Sequence, residues 1–381
     1  MNDNELGLYI HIPFCKSKCY YCDFNSYDSK NSIIPIYCEA LIREIEYYQR
    51  IVKPDNYQIK SIFIGGGTPS FIPQEYIYKI LEKCRNAFKI QENAEITIEA
   101  NPGTLSEEKL AVYKSAGINR LSIGLQAWQN NLLKSLGRIH TSDDFITNVI
   151  AARKLGISNI SVDLIFGLPG QTLDEWLQTL DNVLNLGVNH LSCYSLKIEE
   201  GTMLEEKIKK GEMPLPDEDL DREMYHNTIT KLNSKGFSHY EISNFSKLGF
   251  ESRHNLIYWN VGLYIGLGAG AHSCFEGKRY NNEENPEDYV SQTFKGNIPK
   301  KDIVILNRQD NISEYLILGL RLIEGIKIEK FNQLFGKNLF ELYQDKIDKL
   351  IERKLLNTEN GYLKLTSLGL DLANQVFVEF I

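Results

Sequence analysis

Three cysteines that lie close together carry the most specific chemistry in this sequence. Cys15, Cys19 and Cys22 form the run CKSKCYYC, a CxxxCxxC spacing, directly after the first apolar segment. Cysteine thiolates are the protein ligands of iron–sulfur clusters, and a four-iron cluster normally takes four of them. Three thiolates leave one iron open to an outside ligand, and the amino and carboxylate groups of S-adenosylmethionine could chelate that iron.

Zinc binding is the main alternative for this motif, and a chance spacing is another. Structural zinc sites usually have four protein ligands, often from two paired knuckles. The sequence has no second knuckle, although His11 lies close enough to be a conceivable fourth ligand. The other cysteines, Cys38, Cys84, Cys193 and Cys274, are scattered and are most simply small buried hydrophobes.

Apolar segments of strand length alternate with amphipathic helical patterns through the first half of the chain. The strand candidates are the runs LGLYIHI, SIFIGGG, EITIEANP, RLSIGLQA, ISVDLIFGLPG and HLSCYSL. Helical patterns lie near residues 34–50, 73–88, 106–116, 143–155, 172–187 and 217–235. This alternation predicts an α/β fold with parallel strands and right-handed crossovers, with helices on one face and a packed interior on the other. A partial barrel and an open doubly wound sheet both fit the periodicity.

Polar side chains and glycines follow these strands, at the carboxyl ends where parallel α/β folds collect ligand groups. They are Gly65, Gly66, Gly67, Thr68, Glu99, Gln126, Asp163 and, in the loop SLGRIH, Arg138, with Lys197 as a further candidate. Carboxylates and an amide can hydrogen-bond ribose hydroxyls, and the arginine fork suits a carboxylate. The alternatives are purely structural roles: a tight turn at the glycines, and a network of buried polar residues that orient the loops.

Charge and composition exclude some classes of function. The net charge of -8 argues against binding to nucleic acid and against a broad attraction to anionic lipid. Residues 301–381 contain helical patterns around the hairpin LLNTENGYLKL and resemble a winged-helix unit, but their 11 Lys+Arg against 12 Asp+Glu give DNA reading no electrostatic basis. The uncharged stretch 256–275 holds four glycines, so we expect a loop close to a ligand rather than a membrane helix.

The location is expected to be cytoplasmic. The first residues, MNDNELGLYIHI, lack the pattern of a secretory signal. The seven cysteines are an odd number, which favours a reducing compartment with thiols available for a metal.

The run YIHIPFCKSKCYYCDFNSY resembles the radical S-adenosylmethionine superfamily and, within it, the group that contains oxygen-independent coproporphyrinogen III dehydrogenases and the heme chaperones HemW. The resemblance covers nearly the whole chain. It implies a partial (β/α)6 TIM-like barrel at residues 1–240, a heme-motif segment and linker at 241–300, and a helical winged-helix-like domain at 301–381.

The resemblance also implies cofactors and their ligands. A 4Fe-4S cluster would be held by Cys15, Cys19 and Cys22. The GGGTP run would lie against the methionyl part of S-adenosylmethionine, and further contacts would come from Tyr9, Glu99, Gln126, Arg138 and Asp163. The run RHNLIYW matches the HNxxYW motif of the heme chaperones, so His254, Tyr258 and Trp259 are expected to contact heme, with His272 or Cys274 as possible contributors. Without the resemblance, a buried hydrogen-bonded histidine beside core aromatics is the simpler interpretation.

Two features favour a chaperone over a dehydrogenase. The dehydrogenase type has a CxxxCxxCxC pattern, whereas Phe24 occupies the position of its last cysteine here, and only 14 residues precede Cys15 where that type has a long extension. The resemblance therefore implies a heme-binding protein that passes heme to cytochromes or respiratory-enzyme subunits, with transient docking at a membrane and with dimerisation. Oxidative decarboxylation of coproporphyrinogen III and a metal-stabilised binding module without activity are the alternatives.

Overall fold

The computed structural model describes residues 4–298 and 300–381. Its strands are β1 (Glu5–Ile12), β2 (Gln58–Gly66), β3 (Ile90–Ala100), β4 (Arg120–Gln126), β5 (Asn159–Phe166), β6 (His190–Ser195), β7 (Ser238–Glu241), β8 (Asn244–Ser246), β9 (Leu263–Leu267), β10 (His272–Phe275), β11 (Lys278–Asn282), β12 (Lys300–Ile305), β13 (Ile326–Lys327), β14 (Leu356–Glu359) and β15 (Tyr362–Leu365). Its α-helices are α1 (Ile34–Ile51), α2 (Gln74–Ala87), α3 (Glu107–Ser115), α4 (Asn130–Ser135), α5 (Ser142–Lys154), α6 (Leu173–Asn185), α7 (Met203–Lys209), α8 (Glu218–Ser234), α9 (Arg253–Trp259), α10 (Pro286–Phe294), α11 (Arg308–Gly319), α12 (Ile328–Phe335), α13 (Leu339–Glu352), α14 (Ser367–Asp371) and α15 (Ala373–Val378).

The first six strands form the parallel sheet that the alternation of elements predicts. They lie side by side in chain order, β1 to β6, and each is parallel to the next. A doubly wound sheet reverses its strand order at a switch point. Because this sheet keeps adding strands in one direction, the predicted partial barrel of six β/α units is confirmed and the doubly wound alternative is excluded.

The segment after α8 extends the same sheet at both of its edges. Strand β9 is parallel to β1, and β10, β11 and β12 continue antiparallel beyond it, while β8 and β7 add to β6. The glycine-rich stretch 256–275 thus contributes the end of α9, β9 and β10. In the described ranges, no helix has the length and apolar content needed to cross a membrane.

Short sequence signals begin and end the barrel helices. Thr141 caps α5 in a capping box with Asp144, and Thr172 does the same for α6 with Glu175. In these boxes the threonine side chain accepts a bond from the third helical amide, which has no partner within the helix. Gly117, which follows α3, has a φ of 82°, a left-handed conformation that glycine adopts without a steric penalty, so the chain turns directly into the next strand.

The two faces of the parallel strands differ in polarity. Side chains such as Leu8, Ile62, Ile98 and Leu121 are fully buried in the core that includes residues of the flanking helices. The alternate positions point into the barrel and include Phe63, Glu99, Arg120, Ser122, Asp163, His190, Ser192 and Tyr194. Most of these inner side chains are polar, and they surround a cavity of about 600 Å³. The expectation of a packed interior was therefore wrong.

The C-terminal unit has its own apolar core and matches the winged-helix-like pattern expected of it. Helices α11, α12 and α13 precede the hairpin of β14 and β15, which pairs with β13 in a three-stranded sheet. Asn360 and Gly361 form the hairpin turn with φ values of 52° and 81°, as a type I′ turn requires. Leu316, Phe331 and Ile347 are fully buried in this second core.

Candidate functional site

A cavity of about 600 Å³ lies inside the barrel and reaches the loop that carries the three cysteines. Most of the predicted ligand residues line it, namely Cys15, Cys19, Cys22, Gly66, Gly67, Thr68, Glu99, Gln126, Arg138, Asp163 and Lys197. They come from the ends of five strands and from two loops. The volume is within the range of small-molecule sites.

The cysteine loop after β1 is tied back onto its own strand. The amide of Cys15 donates to the carbonyl of Tyr27 at 2.9 Å, and the amide of Tyr27 donates to the carbonyl of Pro13 at 2.8 Å. Within the loop, the amide of Cys22 donates to the carbonyl of Cys19 at 3.2 Å. These bonds present all three thiols to the same cavity.

Hydrogen-bond donors face two of the thiols. Thr68 Oγ1 donates to Cys15 Sγ at 3.5 Å, and Arg138 Nη1 donates to Cys19 Sγ at 3.3 Å. Burial raises the pKa of Cys15 and of Cys22, so these thiols are neutral when no metal is bound. Iron binding requires the thiolate form, which the nearby guanidinium and hydroxyl groups would stabilise.

The thiol arrangement differs from that of a site for a single metal ion. Within residues 4–298 and 300–381, no three His, Cys, Asp or Glu side chains converge on the position of a single metal ion. A four-iron cluster needs no such convergence because each thiolate binds a different iron. The conceivable fourth ligand, His11, has both ring nitrogens engaged, with Tyr9 Oη at 2.9 Å and with the carbonyl of Asn25 at 2.8 Å.

The glycines after β2 allow this loop to pack against the cysteine loop. A Cβ on Gly67 would lie 2.8 Å from the carbonyl oxygen of Phe14, and one on Gly66 would lie 2.6 Å from the ring of His11. The amide of Gly66 also donates to Glu99 Oε2 at 3.1 Å. Glycine is required here because the backbone closely approaches other protein atoms, as the tight-turn alternative predicts. Gly66 and Gly67 also line the cavity.

Two carboxyl groups, Glu99 on β3 and Asp163 on β5, face the cavity from either side of β4. Burial, together with the charge of Asp163, raises the pKa of Glu99 to about 8. Burial likewise raises the pKa of Asp163, which accepts from Ser122 Oγ at 3.1 Å. Near neutral pH Glu99 therefore keeps its proton and can both donate and accept hydrogen bonds.

Gln126 has an unusual backbone conformation at the end of β4. Its φ is 71°, a region that non-glycine residues seldom occupy and that costs free energy. The pairing of β4 with β5 is irregular between Gly124 and Gln126. This bulge turns the side chain of Gln126 into the cavity, and local strain of this kind is concentrated at functional sites.

The structure adds residues to the site that the sequence did not indicate. Asn101 accepts from Arg138 Nη2 at 2.9 Å and donates to Thr68 Oγ1 at 3.0 Å, so it positions both side chains. Arg120 is only 2% exposed and also lines the cavity. Two features of the sequence could have pointed to them. Asn101 lies just past the third strand, and Arg120 is a charged residue at the start of a largely apolar strand.

Two predicted contacts lie behind the cavity wall. Tyr9 points toward Phe63 and His254, with ring centroids 6.3 and 6.4 Å away. Gly65 is adjacent to the side chains of Phe63 and Glu99. Neither Tyr9 nor Gly65 is part of the cavity lining.

The histidine of the RHNLIYW run is buried on the side of α9 that faces the sheet. His254 is 1% exposed, its Nδ1 is 2.8 Å from Ser61 Oγ and its Nε2 is 2.8 Å from Tyr258 Oη. Burial lowers the pKa of His254 to about 3, so the ring is neutral. Trp259 lies under the guanidinium of Arg321 at 4.3 Å.

Helix α9 lies between two cavities. Asn255 lines the barrel cavity, whereas Tyr258 lines a second cavity of about 380 Å³. His254 directly precedes Asn255 in the chain and lines neither cavity. His272 and Cys274 also lie outside both linings.

Comparison with known proteins agrees with this architecture. The family profile for the radical SAM superfamily matches residues 9–183, and that for the HemN C-terminal domain matches residues 306–372. The chain is 38% identical to the heme chaperone HemW of Bacillus subtilis (strain 168) over 98% of both chains, and 37% identical to that of Lactococcus lactis over 98% of this chain and 96% of the relative. The chain belongs to the HemW family.

The chain is also similar to an animal protein, and it shares its fold with a solved structure. The chain is 34% identical to the mitochondrial radical S-adenosyl methionine domain-containing protein 1 of Bos taurus, over 97% of this chain and 88% of that one. Its fold matches that of coproporphyrinogen III oxidase (HemN) from Escherichia coli with a TM-score of 0.87, at 22% identity, over 100% of this chain and 91% of that one. At this identity the match shows a shared fold.

Phe24 lies at the mouth of the barrel cavity. It follows Cys22 by two residues, is 64% exposed and lines the barrel cavity. The position where the dehydrogenase pattern has its additional cysteine therefore presents an aromatic ring to the cavity mouth.

Proposed function

We propose that this chain is a heme chaperone that binds a 4Fe-4S cluster, S-adenosylmethionine and heme, and transfers heme to an acceptor hemoprotein. The observation that carries the proposal is the full-length similarity to proteins named heme chaperones. The cavity with three thiols at its mouth supports the cofactor part, because it combines sulfur ligands with polar groups for a nucleoside.

In this proposal Cys15, Cys19 and Cys22 hold the cluster. A cluster of this type supplies an open iron position and an electron. Arg138, held by Asn101, is suited to the carboxylate of S-adenosylmethionine because guanidinium and carboxylate form paired hydrogen bonds. The donors that surround the thiols would balance their charge once they are deprotonated.

The inner strands would bind the nucleoside part of S-adenosylmethionine. Glu99, Gln126 and Asp163 project into the cavity from three neighbouring strands. Carboxyl and amide groups donate and accept hydrogen bonds with ribose hydroxyls. Tyr9 and Gly65 would act indirectly, through Phe63 and Glu99.

Heme binding is assigned to the RHNLIYW run, with His254 as the iron ligand and the rings of Tyr258 and Trp259 as contact surfaces. A neutral imidazole is a common axial ligand to heme iron. Because Tyr258 Oη occupies Nε2, the bond between these two residues must break before His254 can reach iron.

The wider assignments remain proposals that follow from this function. The acceptors would be cytochromes or respiratory-enzyme subunits. The chaperone would work in the cytoplasm, could dimerise, and would reach membrane-bound acceptors by docking transiently at the membrane. The barrel at residues 1–240, the heme-motif segment at 241–300 and the domain at 301–381 would form its functional parts. Nucleic acid is not expected as a partner because the net charge is -8.

Heme titration of the purified protein, followed by absorbance, tests the proposal. We expect stoichiometric binding, with a changed iron-ligand spectrum and at least ten-fold weaker binding in His254→Ala, because loss of a residue that only supports a metal ligand already costs roughly ten-fold or more in affinity. Ser61→Ala is the matched control, because it removes the other hydrogen bond of His254 but leaves Nε2 in place. If both variants behave like the wild type, His254 is not the ligand.

A second measurement separates the proposal from its alternative. The reconstituted protein is incubated with coproporphyrinogen III and a reductant under anaerobic conditions. We expect no protoporphyrinogen IX, and turnover to that product would instead support a coproporphyrinogen dehydrogenase.

A further inference from the structure

The second cavity has a composition that the cluster site does not explain. Its volume is about 380 Å³, and it lies between β9, β11 and the C-terminal helix α11. Two tyrosines, Tyr258 and Tyr264, and the aliphatic side chains Val261, Ile317 and Leu318 form its walls. A pocket with aromatic and aliphatic walls is suited to a flat apolar ligand.

One ion pair is the polar feature of this pocket. Arg279 on β11 binds Glu314 on α11 in a paired arrangement, through Nε and through Nη2 at 2.8 Å. Arg279 Nη1 also donates to Tyr264 Oη at 2.8 Å. The side chains of Arg279 and Glu314 are 29% and 23% exposed, so the pair is accessible to a ligand in the pocket.

The pocket is connected to the histidine of the RHNLIYW run. Tyr258 lines the pocket, and its hydroxyl group binds His254 Nε2 at 2.8 Å. Tyr258 is thus the residue that separates the imidazole from the pocket. Movement of the Tyr258 ring would bring Nε2 into contact with whatever the pocket holds.

We propose that this pocket is the heme site, and that Arg279 binds a propionate of the porphyrin in place of Glu314. The inference rests on the proposed function and adds its location and its carboxylate-binding residue. The porphyrin plane lies against Tyr258 and Tyr264, with a propionate edge toward Arg279. A propionate can accept from the same two N–H groups of Arg279 that Glu314 now occupies, because a guanidinium group pairs with any carboxylate in the same geometry.

This exchange has a structural consequence. The pair between Arg279 and Glu314 joins the barrel sheet to the C-terminal domain. When a propionate takes over Arg279, Glu314 is released and that contact between the two parts is lost. Heme binding is therefore expected to loosen α11 from β11.

Titration of the full-length protein with ferric protoporphyrin IX and with its dimethyl ester tests the site. The ester keeps the iron and the ring but has no charged carboxylates. We expect the wild type to bind the free acid roughly ten-fold or more tightly than the ester, and Arg279→Gln to lose most of this preference, because a charged hydrogen bond is worth about a factor of ten or more.

Glu314→Gln provides a matched variant with the opposite expected effect. Both substitutions break the same ion pair, but Glu314→Gln frees Arg279 for the ligand and should tighten binding of the free acid. A merely structural role of the pair predicts that both variants weaken binding alike, and this result would overturn the proposal. Equal affinity of the wild type for the acid and the ester would also overturn it.

The titrations distinguish failure of the proposed heme binding from failure of the proposed heme location. If the wild type binds neither porphyrin, heme binding itself is wrong and the pocket assignment falls with it. If the wild type binds heme and both variants bind as the wild type does, heme binding stands and only the pocket is refuted.

Discussion

At the scale of single residues, the barrel cavity is a place where stability is given up for binding. Glu99 is buried beside Asp163, and its carboxyl group accepts from the amide of Gly66 rather than from a cationic side chain. Gln126 holds a left-handed backbone conformation. Both features cost free energy in the folded protein, and a bound nucleoside that uses these groups would offset that cost.

Without cofactors, Glu99→Gln should be more stable than the wild type, and the difference should grow as pH rises. Burial raises the pKa of Glu99 to about 8. Between the ordinary pKa of a glutamate and this value, the folded state therefore holds a proton that the unfolded state has released. Stability is thus lost as pH rises towards and through about 8, and the glutamine variant escapes this loss. We expect a gain on the order of 2 kcal/mol at pH 8 and little at pH 5.

Denaturant unfolding at several pH values measures this effect. Glu108→Gln, a substitution at an exposed glutamate of α3, is the control and should leave the pH profile unchanged. Parallel profiles for Glu99→Gln and the wild type would show that Glu99 titrates normally.

The sequence revealed residue types well but orientations poorly. The spacing of Cys15, Cys19 and Cys22 predicted a shared site, and the structure places all three at one cavity. The spacing could not show that both nitrogens of His254 are taken, one by Ser61 on β2 and one by Tyr258 on α9. The contact with Ser61 depends on how α9 packs against β2.

At the scale of elements, a buried carboxyl group anchors the loop behind the cysteines. Glu44 on α1 is fully buried and accepts from the amide of Gly268 at 2.8 Å, from Asn282 Nδ2 at 2.7 Å and from Tyr289 Oη at 2.6 Å. The neighbouring carbonyl of Ala269 accepts from Asn25 in the cysteine loop at 3.3 Å. The loop after β9 therefore links α1 to the cluster site.

Glu44→Leu should destabilise this link. The substitution removes the shared acceptor of three buried donors, of which Asn282 Nδ2 keeps a second partner in the carbonyl of Gly268 at 2.9 Å. We expect a loss of about 3 kcal/mol in the free energy of unfolding, with weaker retention of iron after reconstitution. Glu46→Gln, an exposed position of the same helix, should stay within about 0.5 kcal/mol of the wild type. Wild-type stability in Glu44→Leu would contradict the anchoring role.

The regular elements were predictable because local chemistry determines them. Capping threonines, glycines after helices and the Asn-Gly turn are all visible in the sequence, and the predicted helices lie within about two residues of α1, α2, α3, α5 and α6. Strands β7 to β12 were not predicted. They are only three to six residues long, and β9 and β10 lie in the glycine-rich stretch that was expected to be a loop.

At the scale of the whole molecule, one sheet connects the cluster cavity to the proposed heme pocket. The cysteine loop follows β1, and β9 pairs with the other edge of that strand. Helix α9 contributes one residue to each cavity, and α11 of the C-terminal domain closes the second one. This topology gives a direct structural route between the two sites, which residue spacing alone could not indicate.

Anaerobic reconstitution with ferrous iron and sulfide tests most directly the claim that three thiols hold a four-iron cluster. We predict about four irons per chain with sulfur-to-iron charge-transfer absorbance, lost in Cys19→Ser and kept in Cys38→Ser, which alters a buried cysteine outside the site. Colourless wild-type protein, or unchanged iron content in Cys19→Ser, would contradict the account.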